Sequence, residues 1–234
     1  MSLAVTAAQA QEWAKERLEK SPRRHEQVML SNGGRMVEAF VVYPETKAKK
    51  PAVILIHDSS GLTDWFKSLA DEVAGMGYVV VAPNVRSQGD PMPQLNAVAD
   101  YAKKLPASNG TLFVAGLGWG GMESWRFAAE RSDVAATLVF CGASPDKDAI
   151  ARIKGDVYGF YAANDPQVDA TVPPAQAAAK AAGVVFEAVT YAGVGPGFME
   201  SGEAPDAKTN DKLTRGYAME RMKSVLDMVS LRGY

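Results

Sequence analysis

Six residues set the chemical question. Gly116-Leu117-Gly118-Trp119-Gly120-Gly121 follows the apolar stretch Thr111–Ala115 and precedes a helix-like segment that starts near Met122. A strand, a sharp glycine-rich turn and a helix make the setting in which acyl-transfer enzymes expose a nucleophile. In that G-x-Nu-x-G pattern the third residue carries the attacking atom, and its small neighbours let strand and helix approach closely. The third residue here is Gly118, which has no side-chain atom to attack with. The scaffold for acyl transfer is written into the chain and its central atom is not.

Few other residues could move a proton or attack carbon. The chain has two histidines, His25 and His57, and one cysteine, Cys141. His25 opens the hairpin, far in sequence from any strand carboxyl end that could build a site, and is expected at the surface. His57 closes an apolar strand near the glycine turn, where a base must lie within hydrogen-bond reach of its nucleophile. Cys141 follows another strand and offers a thiol, although a lone cysteine there commonly serves as a small apolar core residue. Asp165, in Ala163-Asn164-Asp165-Pro166, could act as the acid behind a histidine or could cap the turn that follows. No metal and no cofactor are expected from these residues.

The elements that must position these groups follow from hydrophobic periodicity. Gln9–Lys20 reads as a charged helix stopped by Ser21-Pro22, so residues 1–22 are expected to form a helical extension to one domain over 23–234. His25–Leu30 and Met36–Tyr43 predict an antiparallel hairpin around Ser31-Asn32-Gly33-Gly34. Ala52–Ile56 is continuously apolar, as in a strand buried on both faces of a parallel sheet. A helix carrying Trp65, Leu69, Val73 and Met76, with Gly77 as its stop, should follow. Next come a strand at Tyr78–Val81, a loop through Pro93, a helix over Leu95–Leu105 and the strand that enters the glycine turn. The second half predicts helix Met122–Glu130, strands Ala135–Phe140 and Val157–Tyr161, helix Pro173–Ala182, strand Val184–Tyr191 and a closing amphipathic helix Leu213–Leu231. Strands alternating with helices after an antiparallel start imply an α/β fold, a mostly parallel sheet covered on both faces. Its site belongs at the carboxyl ends of the strands.

Whole-chain properties exclude several classes. A length of 234 residues suits one α/β domain. A formal net charge of −2, without long Lys/Arg runs, gives no footprint for nucleic acid. One cysteine excludes an internal disulfide framework. No apolar run approaches the roughly 18 residues that span a bilayer, so a soluble monomer or weak dimer is expected. Met1-Ser2-Leu3 before Ala4–Ala10 reads as an added start joined to the end of a removed export signal, which points to export or the periplasm, with the cytoplasm as the alternative.

Five segments, in order, resemble the dienelactone hydrolase family, α/β-hydrolases that use a Cys-His-Asp triad on small lactones and esters. His57-Asp58-Ser59-Ser60-Gly61-Leu62 stands where that family shows a His-Glu pair, two apolar residues and Gly-Leu. Ala82-Pro83-Asn84 stands on its Ala-Pro-Asp. Gly116–Gly121 stands on its G-x-C-x-G-G turn and Ala163–Pro166 on its acid loop. Tyr191-Ala192-Gly193-Val194-Gly195-Pro196-Gly197-Phe198 stands on the loop that should end G-x-G-H-G-F. The resemblance therefore puts the family cysteine at Gly118 and the family histidine at Pro196, and leaves only Asp165 of the triad. Glycine cannot attack, and proline can neither take a proton nor donate a backbone N–H. Two losses at interacting positions imply relaxed chemistry.

The resemblance also implies what could remain. The backbone N–H groups of Trp119 and Ser59 hold the positions of the oxyanion donors, which survive side-chain change. Asp58, Ser59, Trp119, Trp65, Phe198 and Met199 are expected to line the crevice, and Arg86 could meet a ligand carboxylate. Three readings follow. The first is a degenerate family member that binds a small carbonyl or carboxylate compound, such as an ester, lactone or acid. The second is a hydrolase with an unfamiliar site built on Asp58, Asp165 or His57. The third is a structural or interaction protein whose crevice has filled.

Overall fold

The computed structural model describes residues 12–32, 34–85 and 89–232. The Ala-rich start, the expected helix start at Gln9, Gly33 of the hairpin and Arg86 lie outside the described residues. Helix α1 (Glu12–Glu19) leads into the hairpin of β1 (His25–Asn32) and β2 (Arg35–Val42), whose register closes on Asn32 opposite Arg35. Then come β3 (Lys50–Ile56), α2 (Asp64–Gly75), β4 (Val79–Pro83), α3 (Met92–Lys104), β5 (Ser108–Leu117) and α4 (Trp119–Glu130). The second half contains β6 (Val134–Phe140), α5 (Lys147–Ile150), β7 (Asp156–Ala162), α6 (Pro166–Asp169), α7 (Val172–Ala182), β8 (Phe186–Tyr191), α8 (Phe198–Ser201) and α9 (Thr209–Leu231).

The strands form one sheet in the order β1-β2-β4-β3-β5-β6-β7-β8. The pairs from β4 to β8 are parallel, and β1 and β2 add to it antiparallel. Alternation along β3 explains its unbroken apolar run. Val53 and Leu55 face a layer that includes Phe66, Leu69 and Val73 of α2 and Met222 and Leu226 of α9. Ala52, Ile54 and Ile56 face the opposite layer, with Leu95, Val98 and Ala102 of α3 and Phe127 of α4. A third cluster packs Trp125 of α4 and Ala175 and Ala179 of α7 against Val139, Val157 and Tyr161.

Element boundaries moved where cap chemistry outweighs periodicity. α2 begins after Thr63, whose hydroxyl accepts the Phe66 N–H at 3.2 Å. α3 starts at Met92 rather than Leu95, because a proline inside the first turn has no intrahelical N–H to lose. α4 starts at Trp119, directly on the glycine turn, rather than at Met122. β8 starts at Phe186, two residues later than the apolar run suggests, and α9 starts at Thr209, four residues earlier. His25, expected at the surface, is drawn inward instead. Its side chain is half-buried, and Nε2 lies 2.8 Å from Asp71 Oδ1, which also accepts from Ser21 Oγ and Arg23 Nε. Asp71 is ionised there, so Nε2 carries the proton in that contact. No described helix is long and apolar enough to cross a membrane.

Candidate active site

The carboxyl ends of β3, β5, β7 and β8 meet at one end of the sheet. β5 delivers Gly118 at φ +52° and ψ −115°, a backbone state that strains any residue with a Cβ. Its N–H donates to Phe140 O at 2.8 Å, which locks the turn to β6. The neighbouring glycines are required by contact. A Cβ on Gly116 would overlap the Gly120 carbonyl, and one on Gly120 would overlap the carbonyls of Ile56 and His57. The strand-turn-helix elbow expected from the sequence is therefore present, with glycine at its apex.

The loop after β3 folds over the elbow. His57 is 3% exposed, its Nδ1 donates to Asp58 O at 2.6 Å, and its ring stacks on Trp119 with centroids 6.0 Å apart. Its Nε2 is buried with no hydrogen-bond partner among the described residues, and the proton on the ring's other nitrogen is fixed by the Asp58 carbonyl. Asp58 Oδ1 accepts the Ser60 N–H at 2.8 Å, which shapes the turn that presents Ser59. The N–H groups of Ser59 and Trp119 have no acceptor among the described residues. Trp119 opens the twelve-residue α4, whose N-terminal dipole adds to the pull of its N–H on negative charge.

The loops after β7 and β8 are stitched together by Ala163 N–H to Tyr191 O at 2.9 Å and Asn164 N–H to Val194 O at 3.1 Å. Asp165 caps α6, its Oδ1 3.5 Å from Val168 N, and it is not among the residues that line the cleft. Pro196 and Gly197 do reach the cleft. Phe198, expected as a wall, turns inward instead. It is 1% exposed and packs on Tyr191 with ring centroids 5.6 Å apart. Cys141 is buried at φ +50°, its Sγ 3.6 Å from Phe160 O, and burial pushes its thiol up to about 12. A thiol so protonated is no nucleophile.

Between these loops lies an open cleft of roughly 230 Å³ lined by Asp58, Ser59, Trp65, Leu117, Gly118, Trp119, Pro196, Gly197, Met199 and Glu200. Glu200 and Leu117 are lining residues not named from the sequence. Glu200 sits one residue beyond Met199, so only the path of α8 reveals it. No hydrogen bond joins Ser59 to His57, Asp58 or Asp165 among the described residues. Nor do those residues contain a group of three or more His, Cys, Asp or Glu side chains placed to hold a metal.

An eight-stranded, mostly parallel sheet with a strand-turn-helix elbow at Gly118 defines an α/β-hydrolase. The sequence profile of the Dienelactone hydrolase family matches residues 37–91 and 87–230, and the chain belongs to that family. A putative carboxymethylenebutenolidase from Saccharolobus solfataricus is 24% identical, covering 87% of this chain and 98% of its own length. A second, from Methylorubrum extorquens, is 23% identical and covers 70% and 68%. Among solved structures, a putative dienelactone hydrolase from Klebsiella pneumoniae superposes with a TM-score of 0.78 at 21% identity, covering 88% of this chain and 98% of its own. An esterase from Pyrobaculum calidifontis gives 0.75 at 18% identity, covering 98% and 94%. At those identities the structures share the fold.

Proposed function

We propose that this protein uses the cleft to bind a small neutral carbonyl compound, an ester or lactone, without the triad chemistry of its family. One observation carries the reading. The elbow keeps its geometry, and among the described residues the N–H groups of Ser59 and Trp119 have no acceptor while neither thiol nor imidazole lines the cleft. Such donors polarise a carbonyl oxygen, but turnover needs an attacking atom and a base as well. The Asp58 carboxylate lines the same space, which favours a neutral carbonyl over a carboxylate. An open cleft also argues against the reading in which side chains have filled it.

A second reading has one observation in its favour. Asp58 stands beside Gly118, where its carboxylate could activate water for direct hydrolysis. Hydrolysis of p-nitrophenyl acetate and a dienelactone, followed beside saturation binding of γ-butyrolactone, separates the two. Turnover at the buffer rate with saturable lactone binding is the expected result. Turnover abolished by Asp58→Asn, with Asp165→Ala and His57→Ala unaffected, would replace it with the hydrolase. Neither turnover nor binding would overturn both.

A further inference from the structure

We infer that α1 is a strap that sets the shape of the cleft from behind, through Arg17 and Glu203. The cleft wall formed by Trp65 and Met199 is packed into the core and is also held by polar groups behind it. Trp65 Nε1 donates to Glu203 Oε2 at 2.9 Å, and the Met199 carbonyl accepts from Arg215 Nε at 3.1 Å. Arg215 Nη2 also pairs with Glu203 Oε2 at 2.7 Å and with Glu72 of α2. Arg17 closes the group from α1, with Nη1 on Glu203 Oε1 and Nη2 2.9 Å from Glu72 Oε2. Two guanidiniums and two carboxylates thus join α1, α2, α9 and the turn after α8 in one balanced cluster, and both of its outward arms end on cleft-lining residues.

The balance makes the wall depend on α1. Glu203 has a side chain only 6% exposed, so removing Arg17 leaves one of its oxygens buried without its partner. The cluster would then hold two carboxylates against one guanidinium. Glu203 relieves that by turning toward solvent, which withdraws the acceptor from Trp65 and loosens the turn at Met199. α1 spans eight residues, too few to be stable alone, and its grip on the body is Ala14 in the core, Trp13 and Leu18 against it, and Arg17. Glu203 and Arg17 are therefore positioning residues, acting on the cleft through Trp65 and Met199. The inference rests on the cleft being the binding site, but its first readout needs no ligand.

Hydrogen exchange of the full chain, read peptide by peptide, tests it. Arg17→Gln should speed exchange in residues 64–68 and 196–204 about fivefold while central strands stay protected, as in local rather than global opening. Arg17→Lys should restore part of the protection, and Lys20→Gln, one turn away in an exposed pair with Glu16, should change nothing. Tryptophan emission should shift in Arg17→Gln and not when Trp65→Phe is already present. Exchange changes confined to residues 12–19, or equal changes across the sheet, would overturn the strap. The local exchange change in Arg17→Gln, together with a wild-type protein that binds no lactone, keeps the strap and loses the proposed function. Lactone binding with unchanged exchange does the reverse.

Discussion

A Cβ on Gly118 would stand 3.4 Å from Asp58 Cβ, an ordinary van der Waals contact. A Cβ therefore fits at the elbow apex, and backbone conformation is the main obstacle to a side chain there. At φ +52° a non-glycine residue is strained, so Gly118→Cys should lower unfolding free energy by about 1–3 kcal/mol in urea titration. Gly118→Cys with Pro196→His should then hydrolyse p-nitrophenyl acetate above the Gly118→Cys variant, because the histidine raises thiolate content. A double variant no faster than the single one would mean that the β8 loop no longer aims residue 196 at the elbow.

Asp71 ties α1's exit to α2. Burial alone would raise its carboxyl, but hydrogen bonds from Arg23, Ser21 and His25 outweigh burial and hold it below the ordinary carboxylate range. A carboxylate depressed in the folded state contributes stability above its unfolded value, and that contribution is lost as pH falls below about 4. Asp71→Asn should destabilise the protein at pH 7 by about 1–3 kcal/mol, since it weakens those hydrogen bonds and leaves the Arg23 guanidinium paired only with Glu45 among the described residues. Urea midpoints between pH 7 and pH 3 should fall less steeply in the variant than in the wild type.

How much of this was legible in the sequence depends on the range of the physics involved. Alternation and apolar runs are local, so β3, β4, β6 and the sheet's parallel character could be read directly, as could the elbow at Gly116–Gly121. The role of Thr63 as a cap and the early start of α3 at Met92 depend on single side chains and prolines, and shift ends without changing elements. The inward turn of Phe198 is a matter of loop path, which no periodicity reports. Glu203 was invisible for a further reason. Its partners Arg17, Trp65 and Arg215 lie far apart along the chain, and only the packed helices bring them together. His25 was misplaced by the same blindness, since Asp71 follows it by 46 residues.

Alkaline pH should unfold the protein through groups that must stay protonated. Burial pushes the Cys141 thiol from 9.0 up to about 12 and the Tyr161 phenol from 10.0 up to about 12. Burial likewise raises Tyr43, Tyr78 and Tyr158, with Glu26, Asp227 and Asp156 adding to it. Their neutral forms are favoured in the fold, so the stability they contribute is complete below pH 9 and is lost as pH climbs toward 12. Urea midpoints should decline from pH 9 to pH 11, and Cys141→Ala should flatten the first part of that decline. Ellman's reagent should leave Cys141 unlabelled at pH 8 in the native protein and label it in 6 M urea.

Charge in the cleft decides between neutral and anionic ligands. Benzamide and benzoate have nearly the same shape and differ by one unit of charge. With Asp58 beside the Ser59 and Trp119 donors, benzamide should bind about tenfold more tightly at low salt, where like-charge repulsion is least screened. Asp58→Asn removes that charge, and its amide can no longer accept as strongly from Ser60. It should bring benzoate to within about threefold of benzamide and should leave benzamide affinity almost unchanged. Arg86→Gln belongs in the same titration, because the loop after β4 was expected to meet carboxylates. If Arg86 faces the ligand, its loss should weaken benzoate alone. Benzoate binding more tightly than benzamide in the wild type, and collapsing with Arg86→Gln, would make the ligand an acid and the acidic lining incidental.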